Sequence, residues 1–251
     1  DPRGGGRHPD APGPADSWVG GMKVVAVICA RMGSTRFPGK TLMPIAGRPM
    51  LLRVVDRLRL CGRLDGIVVV TTSRQENQII RKVCKREGVP CIVSHTTDDA
   101  KVVLRLKDAA SEASADAIVR ITPDCPLIDA ELVDEVIAYG TGKWDYGRIG
   151  PEADYCSNIY PRRTYPDGLD CEYLSVPTLQ RLPEAEDATA YIWANPLGFR
   201  IRSVDHKEDL SALNWTVNYP LDLDFVRRVY EELPEGFGWQ DVLSLPGSGR
   251  Q

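Results

Sequence analysis

The sequence predicts an α/β fold with a mostly parallel sheet and helices on both of its faces. In the first 140 residues, short apolar runs alternate with stretches of helical periodicity, the order expected of βαβ units with right-handed crossovers. The run at 23–29 is almost continuously apolar, as in a strand that is buried on both faces. In such a sheet ligands gather at the carboxyl ends of the strands.

The individual elements follow from the spacing of apolar residues. Strands are predicted at the short apolar runs 23–29, 66–72, 91–94 and 117–122. Helices are predicted where apolar residues recur at helical spacing, at 49–61, 75–87, 99–113 and 129–139. Asp129 is the predicted N-cap of the last of these helices. After a less regular stretch, 213–217 (LNWTV) predicts a core strand and 222–232 a final helix.

The chain is expected to form one domain. Ten of the first 21 residues are Gly or Pro, so 1–21 are interpreted as a disordered leader or a remnant of cloning, outside the fold. The folded domain is predicted at 22–251. Within it, the stretch from about 144 to 210 is richer in Tyr, Pro and Asn, which indicates a small inserted lobe.

Composition excludes several classes of protein. Lys and Arg number 31 against 35 Asp and Glu, for a net charge of −4, so a general nucleic-acid binder is not expected. No apolar run approaches the roughly 20 residues that span a bilayer, which argues against a membrane partner. Seven cysteines without a CxxC pair favour free thiols in a reducing cytoplasm over a zinc site or a disulfide framework.

The loop after the first strand carries the strongest chemical signal. The stretch ARMGSTRFPGK contains Arg31, Gly33, Arg36, Gly39 and Lys40 and no acidic residue. Glycines let backbone N–H groups approach a ligand closely, and three cations create a positive field suited to a polyanion such as a triphosphate. The alternative is a solvated basic turn.

Two common phosphate-binding motifs do not fit this loop. A Walker A loop has four residues between its glycines, whereas five separate Gly33 from Gly39 here. Pro44, Gly47 and Pro49 also separate Lys40 from the next helix, whereas a Walker loop runs directly into one. GxGxxG is absent, which disfavours a dinucleotide site.

The motifs resemble those of a known family. ARMGSTRFPGK, the following L-x-x-I-x-G-x-P-M, RITPDCPLID, YPDGLDCE and LNWTVNYPLDLDFVRRVY are similar, in this order, to the cytidylyltransferases that activate sugar acids with CMP. The resemblance is strongest to the spore coat polysaccharide biosynthesis protein F-like branch and covers residues 22 to about 232. It implies a Rossmann-like nucleotide-diphospho-sugar transferase fold, CTP as donor, Mg²⁺ as cofactor and a homodimer formed through the inserted lobe.

The resemblance also implies roles for residues in and near the loop. The triphosphate would be held at Arg31, Gly33, Ser34, Arg36 and Lys40, with Lys40 and Arg36 offsetting the charge of the leaving pyrophosphate. Cytidine would be held by backbone groups near Ala30 and side chains near Thr72.

Asp124 and Asn218 are the predicted metal positions. Asp124 follows the strand at 117–122 and is an expected Mg²⁺ ligand by resemblance, although a turn-forming role is the alternative. The family has a second aspartate where this chain has Asn218, whose neutral oxygen predicts weaker divalent binding. Three possibilities follow and stay open. A single metal ion is enough for the reaction, the acceptor supplies the missing negative charge, or the chain is an inactive homologue.

The acceptor side is predicted around YPDGLDCE. Tyr165, Asp167, Asp170 and Glu172 would line the pocket, although Asp167 also fits a simple turn. Arginines upstream are the expected anion clamps, namely Arg163 with its neighbour Arg162, and Arg120. At 184–192 (EAEDATAYI) the chain lacks an arginine and a histidine of the nearest branch, so the acceptor is left open between a sugar acid and a small phosphonate.

The predicted activity is CMP transfer from CTP to a small acidic acceptor, with catalysis by Lys40, Arg36 and Asp124. Two alternatives remain open. The first is a catalytically silent nucleotide-binding homologue, suggested by Asn218. The second is a nucleotidyltransferase that uses another nucleotide on a phosphosugar.

Overall fold

A seven-stranded sheet forms the centre of the molecule. The computed structural model describes residues 21–144, 148–184 and 187–249. The strands in this sheet are β1 (Val24–Cys29), β4 (Gly66–Thr71), β5 (Cys91–Val93), β6 (Ala117–Ile121), β9 (Tyr155–Ser157), β10 (Glu172–Ser175) and β11 (Ile201–Ser203). Their order is β11-β9-β10-β6-β1-β4-β5, and only β10 runs antiparallel to its neighbours. The predicted mostly parallel sheet is therefore confirmed.

Helices connect and cover these strands. In the described part of the chain they are α1 (Met50–Leu58), α2 (Gln78–Arg86), α3 (Val102–Glu112), α4 (Ala130–Thr141), α5 (Val176–Arg181), α6 (Ala188–Ala194), α7 (Pro220–Glu232) and α8 (Trp239–Ser244). Two small hairpins lie outside the main sheet and pair β2 (Pro44–Ile45) with β3 (Arg48–Pro49), and β7 (Lys143–Trp144) with β8 (Arg148–Ile149).

Both faces of the sheet are packed with helices, and β1, an interior strand, is apolar on both sides. Val24, Ala26 and Ile28 of β1 join a core that includes residues of α1, α2, α4 and α7. Val25 and Val27 face the opposite core, built with α3, α5 and α6. Every one of these five side chains is at most 3% exposed. The apolar run at 23–29 is thus explained by the burial of β1 on both faces of the sheet.

Residues 213–217 are not a strand of the sheet, so this prediction is wrong. Asn214 forms an isolated parallel bridge with Asp167, and Val217 N–H donates to the Asp124 carbonyl at 2.9 Å. Trp215 and Val217 are nevertheless buried, at 1% and 0% exposure. The apolar pattern correctly indicated burial, but the backbone pairs with two loops rather than with a neighbouring strand.

The segment at 144–210 extends the main sheet. It contributes β9, β10 and β11, whereas its β7–β8 hairpin pairs only within itself. The position of a lobe boundary and its use in a homodimer stay predictions. Among the described residues, no helix combines the length and the apolar character needed to cross a bilayer.

Candidate active site

The loop between β1 and α1 folds back on itself at the carboxyl end of the sheet. The Met32 carbonyl accepts from Ser34 N–H at 2.9 Å and from Gly39 N–H at 3.2 Å, and the Thr41 hydroxyl donates to the Arg31 carbonyl at 2.7 Å. Gly39 has a φ of 75°, in the left-handed region that favours glycine. A short 3₁₀ turn, Lys40–Leu42, follows at once. This closure turns Lys40 toward the protein interior.

A buried polar network supports the loop from below. Asn77 accepts from Met32 N–H at 2.8 Å and donates to the Thr72 hydroxyl at 2.8 Å. The Thr72 hydroxyl donates to Asp99 at 2.8 Å. Thr72 and Asn77 are fully buried. Asn77 therefore holds the loop, and Thr72 in turn positions Asn77. The predicted contact of Thr72 with a cytosine base stays a prediction.

Arg105 is a structural residue of this region that sequence reasoning missed. It lies on α3, is 2% exposed, and donates at 3.0 Å to each of the Ala30 and Val70 carbonyls and at 3.1 Å to the Asp99 carbonyl. Ala30 N–H also donates to Val70, at 3.0 Å. The backbone of Ala30 is thus fixed, and its predicted contact with cytidine stays a prediction. A charged residue within the apolar run VVLRL was the available signal.

The arginines of the loop face solvent. Arg31, Arg36 and Gly33 are exposed and Ser34 is half-buried. Within the described ranges, neither arginine forms an ion pair with an acidic side chain, and the nearest ring to the Arg36 guanidinium is Tyr219, at 5.8 Å from its centroid. Two fixed positive charges are therefore available to an anion at the end of β1.

Lys40 brings together three of the predicted site residues. Its ammonium donates to Asp124 Oδ2 at 2.7 Å, to the Val217 carbonyl at 2.7 Å and to Asn218 Oδ1 at 3.2 Å. These contacts use all three protons of the ammonium group. Lys40 is 7% exposed, whereas the Asp124 side chain is 22% exposed. The carboxylate consequently remains open to solvent on one side.

The partners of Lys40 are held by their own backbone contacts. Val217 N–H donates to the Asp124 carbonyl, which links the two loops that face Lys40. Asp222 accepts from the backbone N–H groups of Asn218 and Tyr219, at 2.8 and 2.7 Å, at the start of α7. The Asn218 side chain is therefore presented to Lys40 by a capped helix terminus.

The oxygen donors at this place match only part of a magnesium site. Among the described residues, no three or more His, Cys, Asp and Glu side chains are grouped so that they could hold a metal ion. Asp124 is a single carboxylate already bonded to an ammonium group. Mg²⁺ is usually bound through one or two carboxylates together with substrate phosphates. The residues thus fit a Mg²⁺ that arrives with a nucleotide, and do not fit one held by the protein alone.

Arg120, a predicted anion clamp, is already neutralised within the protein. It donates to Glu172 at 3.0 Å, to Asp187 at 3.2 Å and to the Thr189 hydroxyl. Burial alone would lower the pKa of Arg120, but the two adjacent carboxylates outweigh burial and raise it. Glu172 also accepts from the Tyr155 hydroxyl at 2.8 Å. Thr189 and Tyr155 were not predicted from the sequence.

Arg163, the other predicted clamp, is likewise held by an acid. Both of its terminal nitrogens bond to the Asp170 carboxylate, one of them at 2.7 Å. Asp167 lies 3.7 Å from the same guanidinium and accepts from the Thr216 hydroxyl at 2.9 Å. A side chain at Gly168 would meet the backbone of Trp215 and Thr216 at 2.8 Å, so the Asp-Gly pair serves a close approach of two segments.

Tyr165 lies in the aromatic core and not on an open surface. It is 6% exposed, and its ring contacts His206 at 5.6 Å and Trp239 at 5.5 Å between centroids. Burial raises its pKa to about 12, so its hydroxyl stays protonated at neutral pH. The predicted contact of Tyr165 with an acceptor has no support in this placement.

The cysteines beside the site are not placed as nucleophiles. Burial raises the pKa of Cys29, Cys125 and Cys171. Covalent catalysis by cysteine needs the thiolate, which a raised pKa disfavours. These three thiols are therefore disfavoured as nucleophiles.

Comparison with known proteins shows that the chain is similar to cytidylyltransferases. The sequence profile of the family described as "Cytidylyltransferase" matches residues 25–146. The chain is 36% identical to the 3-deoxy-manno-octulosonate cytidylyltransferase of Geobacter metallireducens, but over only 47% of this chain and 44% of that enzyme. It is 25% identical to the spore coat polysaccharide biosynthesis protein SpsF of Bacillus subtilis, over 84% of this chain and 88% of that protein.

A solved structure extends the similarity to the whole fold. The cytidylyltransferase of Leptospira borgpetersenii serovar Hardjo-bovis has a TM-score of 0.77 and 28% identity to this chain, and the match covers 89% of this chain and 93% of the other. The predicted nucleotidyltransferase-type α/β fold is therefore confirmed. The chain is therefore similar to cytidylyltransferases in sequence and in fold, and its similarity to SpsF extends over most of its length.

Proposed function

We propose that the protein transfers CMP from CTP to a small acidic acceptor, a sugar acid or a phosphonate, and releases pyrophosphate. One observation carries this proposal: the Lys40 ammonium, the Asp124 carboxylate and the Asn218 amide converge beneath a closed loop whose Arg31 and Arg36 are exposed. Fixed cations beside a solvent-facing carboxylate suit a reaction in which negative charge moves from one phosphate oxygen to another.

The loop would hold the triphosphate. Arg31 and Arg36 offer guanidinium groups that match phosphate oxygens in pairs, and Gly33 places a backbone N–H group between them. Lys40 reaches the phosphates by exchanging its longest contact, the 3.2 Å bond to Asn218, for a phosphate oxygen. It keeps its two 2.7 Å bonds, so the ammonium turns without leaving Asp124.

The chemical step is an in-line substitution at the α-phosphorus of CTP. A bond forms between the acceptor oxygen and phosphorus, and the bond from phosphorus to the pyrophosphate oxygen breaks. A carboxylate or phosphonate acceptor is already ionised at neutral pH and needs no general base, whereas an anomeric hydroxyl must lose its proton. The work of the protein is then alignment and charge neutralisation, with Lys40 and Arg36 facing the leaving pyrophosphate.

Mg²⁺ would enter together with CTP, with Asp124 as its contact on the protein. Bound there, it would neutralise phosphate charge as a Lewis acid. The protein's own part is to keep Asp124 in place through the bond from Val217 N–H and the ion pair with Lys40.

A matrix of substrates tests the proposed activity. Four ribonucleoside triphosphates are each combined with sugar acids, sugar phosphates and small phosphonates, and pyrophosphate release is measured. We expect release with CTP and at least one acidic acceptor, and its loss in Asp124→Asn. Release with UTP and a sugar phosphate alone would contradict the assignment of both donor and acceptor.

Asn218 favours one competing function, that of a nucleotide-binding protein without transferase activity. Its neutral oxygen stands where the family is expected to have a second carboxylate. CTP that raises the melting temperature while no acceptor in the matrix releases pyrophosphate would support this alternative.

A further inference from the structure

The charges of Lys40 and Asp124 balance each other because the third side chain beside them, Asn218, is neutral. The Lys40 ammonium contacts one carboxylate, one amide oxygen and one carbonyl, at 2.7, 3.2 and 2.7 Å. One positive and one negative charge therefore cancel within this group, which we call the Lys40 triad (Lys40, Asp124 and Asn218). A second carboxylate at 218 would leave the triad with a net negative charge.

The acids near the predicted acceptor segment also have partners on the protein. Asp170 is bonded to both terminal nitrogens of Arg163, and Glu172 and Asp187 share Arg120. Asp167 accepts from Thr216. In the described ranges, no three or more His, Cys, Asp and Glu side chains are grouped so that they could hold a metal ion.

A divalent ion competes poorly for such a triad. To bind Asp124 without a nucleotide, it would have to displace or repel an ammonium group that already makes three hydrogen bonds. The remaining donors, an amide and a carbonyl oxygen, carry no charge and bind divalent ions more weakly than carboxylates do. Repulsion between the Lys40 ammonium and a divalent ion close to it opposes binding further.

We infer that Lys40 serves as a built-in cation in place of a protein-held metal ion, and that Asn218 is the residue that sets this choice. The only metal ion the site accepts is then one brought by the triphosphate. The inference rests on the proposed function for its catalytic consequence, but the metal-binding behaviour itself does not require CTP or turnover.

Binding of Mn²⁺ to the nucleotide-free protein tests the inference. The free Mn²⁺ signal is followed by electron paramagnetic resonance while metal is added to the wild type, Asn218→Asp and Asn195→Asp. Asn195 is exposed at the end of α6 and outside the triad, so its variant adds the same charge elsewhere. We expect weak binding to the wild type and to Asn195→Asp, and an affinity at least about tenfold higher in Asn218→Asp, equivalent to one ion pair of about 1.4 kcal/mol.

Two results would overturn the inference. One is Mn²⁺ binding to the wild type that is as tight as in Asn218→Asp and is lost in Asp124→Asn. The other is a folded Asn218→Asp protein, by circular dichroism, with wild-type affinity. If that variant does not fold, Lys40→Gln takes its place, because removal of the ammonium should also raise Mn²⁺ affinity, and an unchanged affinity there overturns the inference.

The same experiment separates this inference from the proposed function. Binding of CTP to the wild type, measured calorimetrically with and without Mg²⁺, reports on the proposed function alone. Failure to bind CTP would contradict the proposed function whatever the Mn²⁺ titration shows, and Mn²⁺ results contrary to expectation would leave a CTP-binding protein intact.

Discussion

The proposed nucleotide side and the proposed acceptor side of the site differ in how their arginines are paired. On the nucleotide side, Arg31 and Arg36 are exposed and have no acidic partner among the described residues. On the acceptor side, Arg120 and Arg163 are held by carboxylates of Glu172, Asp187 and Asp170. The sequence makes all four arginines candidates for anion binding. Of these four, only Arg31 and Arg36 lack an acidic partner among the described residues.

This difference predicts that one pair of arginines matters for ligand binding and the other for the stability of the fold. An exposed arginine contributes little to folding, whereas a buried one paired with acids is needed to keep those acids from being buried alone. We therefore expect substitutions on the nucleotide side to weaken CTP binding and those on the acceptor side to lower the free energy of unfolding.

The largest effect on stability is expected for Arg120→Gln. Glu172 is 5% exposed and would lose its cationic partner, so the free energy of unfolding should fall by about 3–5 kcal/mol. Urea denaturation measures this change. The double variant Arg120→Met with Glu172→Gln should recover part of the loss, because no buried carboxylate is then left without a cation. An unchanged free energy of unfolding in Arg120→Gln would contradict the stabilising role given to this arginine.

The largest effect on turnover is expected for Lys40→Ala. Loss of one fixed cation facing the developing charge should lower kcat by about 10²–10³, or roughly 2.7–4 kcal/mol. The variant should still fold, because the Asp124 side chain keeps 22% of its surface open to water. Pyrophosphate release gives kcat and circular dichroism checks the fold. Turnover equal to that of the wild type would remove Lys40 from the catalytic group.

A smaller effect is expected for Arg36→Ala, and it should appear in CTP binding. Loss of a charged hydrogen bond to phosphate should cost about 1.5–3 kcal/mol of binding free energy. The stability should change by no more than about 0.5 kcal/mol, as is usual for surface substitutions. Arg63→Ala, at an exposed arginine after α1, is the matched control. Equal CTP affinity in both variants would place the phosphates elsewhere.

The smallest effect is expected for Asp187→Asn. Asn caps a helix as well as Asp does, so α6 keeps its N-cap and only the ion pair with Arg120 is lost. Since the Asp187 side chain is 39% exposed, that loss should cost less than about 1 kcal/mol of unfolding free energy. Asp187→Ala, which also removes the cap, should cost about 1 kcal/mol more. Identical denaturation curves for the two variants would contradict the capping role.

Apolar patterning and motif order predicted most of the fold. The alternation of strands and helices was sufficient for β1 to α4 because each of these elements carries its own apolar periodicity. Residues 213–217 were misassigned because burial, which the pattern reports, does not say which backbone a segment pairs with. Here Val217 pairs with the loop at Asp124. The short helix α8 carried too few apolar residues to be recognised.

The candidate site was predictable only where one short stretch of chain carries it. The loop residues Arg31 to Lys40 are adjacent in sequence, so composition alone revealed their positive charge. The partners of Lys40, Arg120 and Arg163 lie from 7 to 178 residues away along the chain. No local pattern reports whether a charge is already neutralised by a residue so distant, and the role of Arg105 was hidden for the same reason.

The position of the triphosphate is tested most directly by a crystal structure of the protein with CTP and magnesium. We expect phosphate oxygens against the loop at 32–41, within hydrogen-bond distance of Arg36 and Lys40, while Arg120 keeps its bonds to Glu172 and Asp187. Phosphates bound to Arg120 or Arg163 instead, with the loop at 32–41 empty, would contradict this expectation.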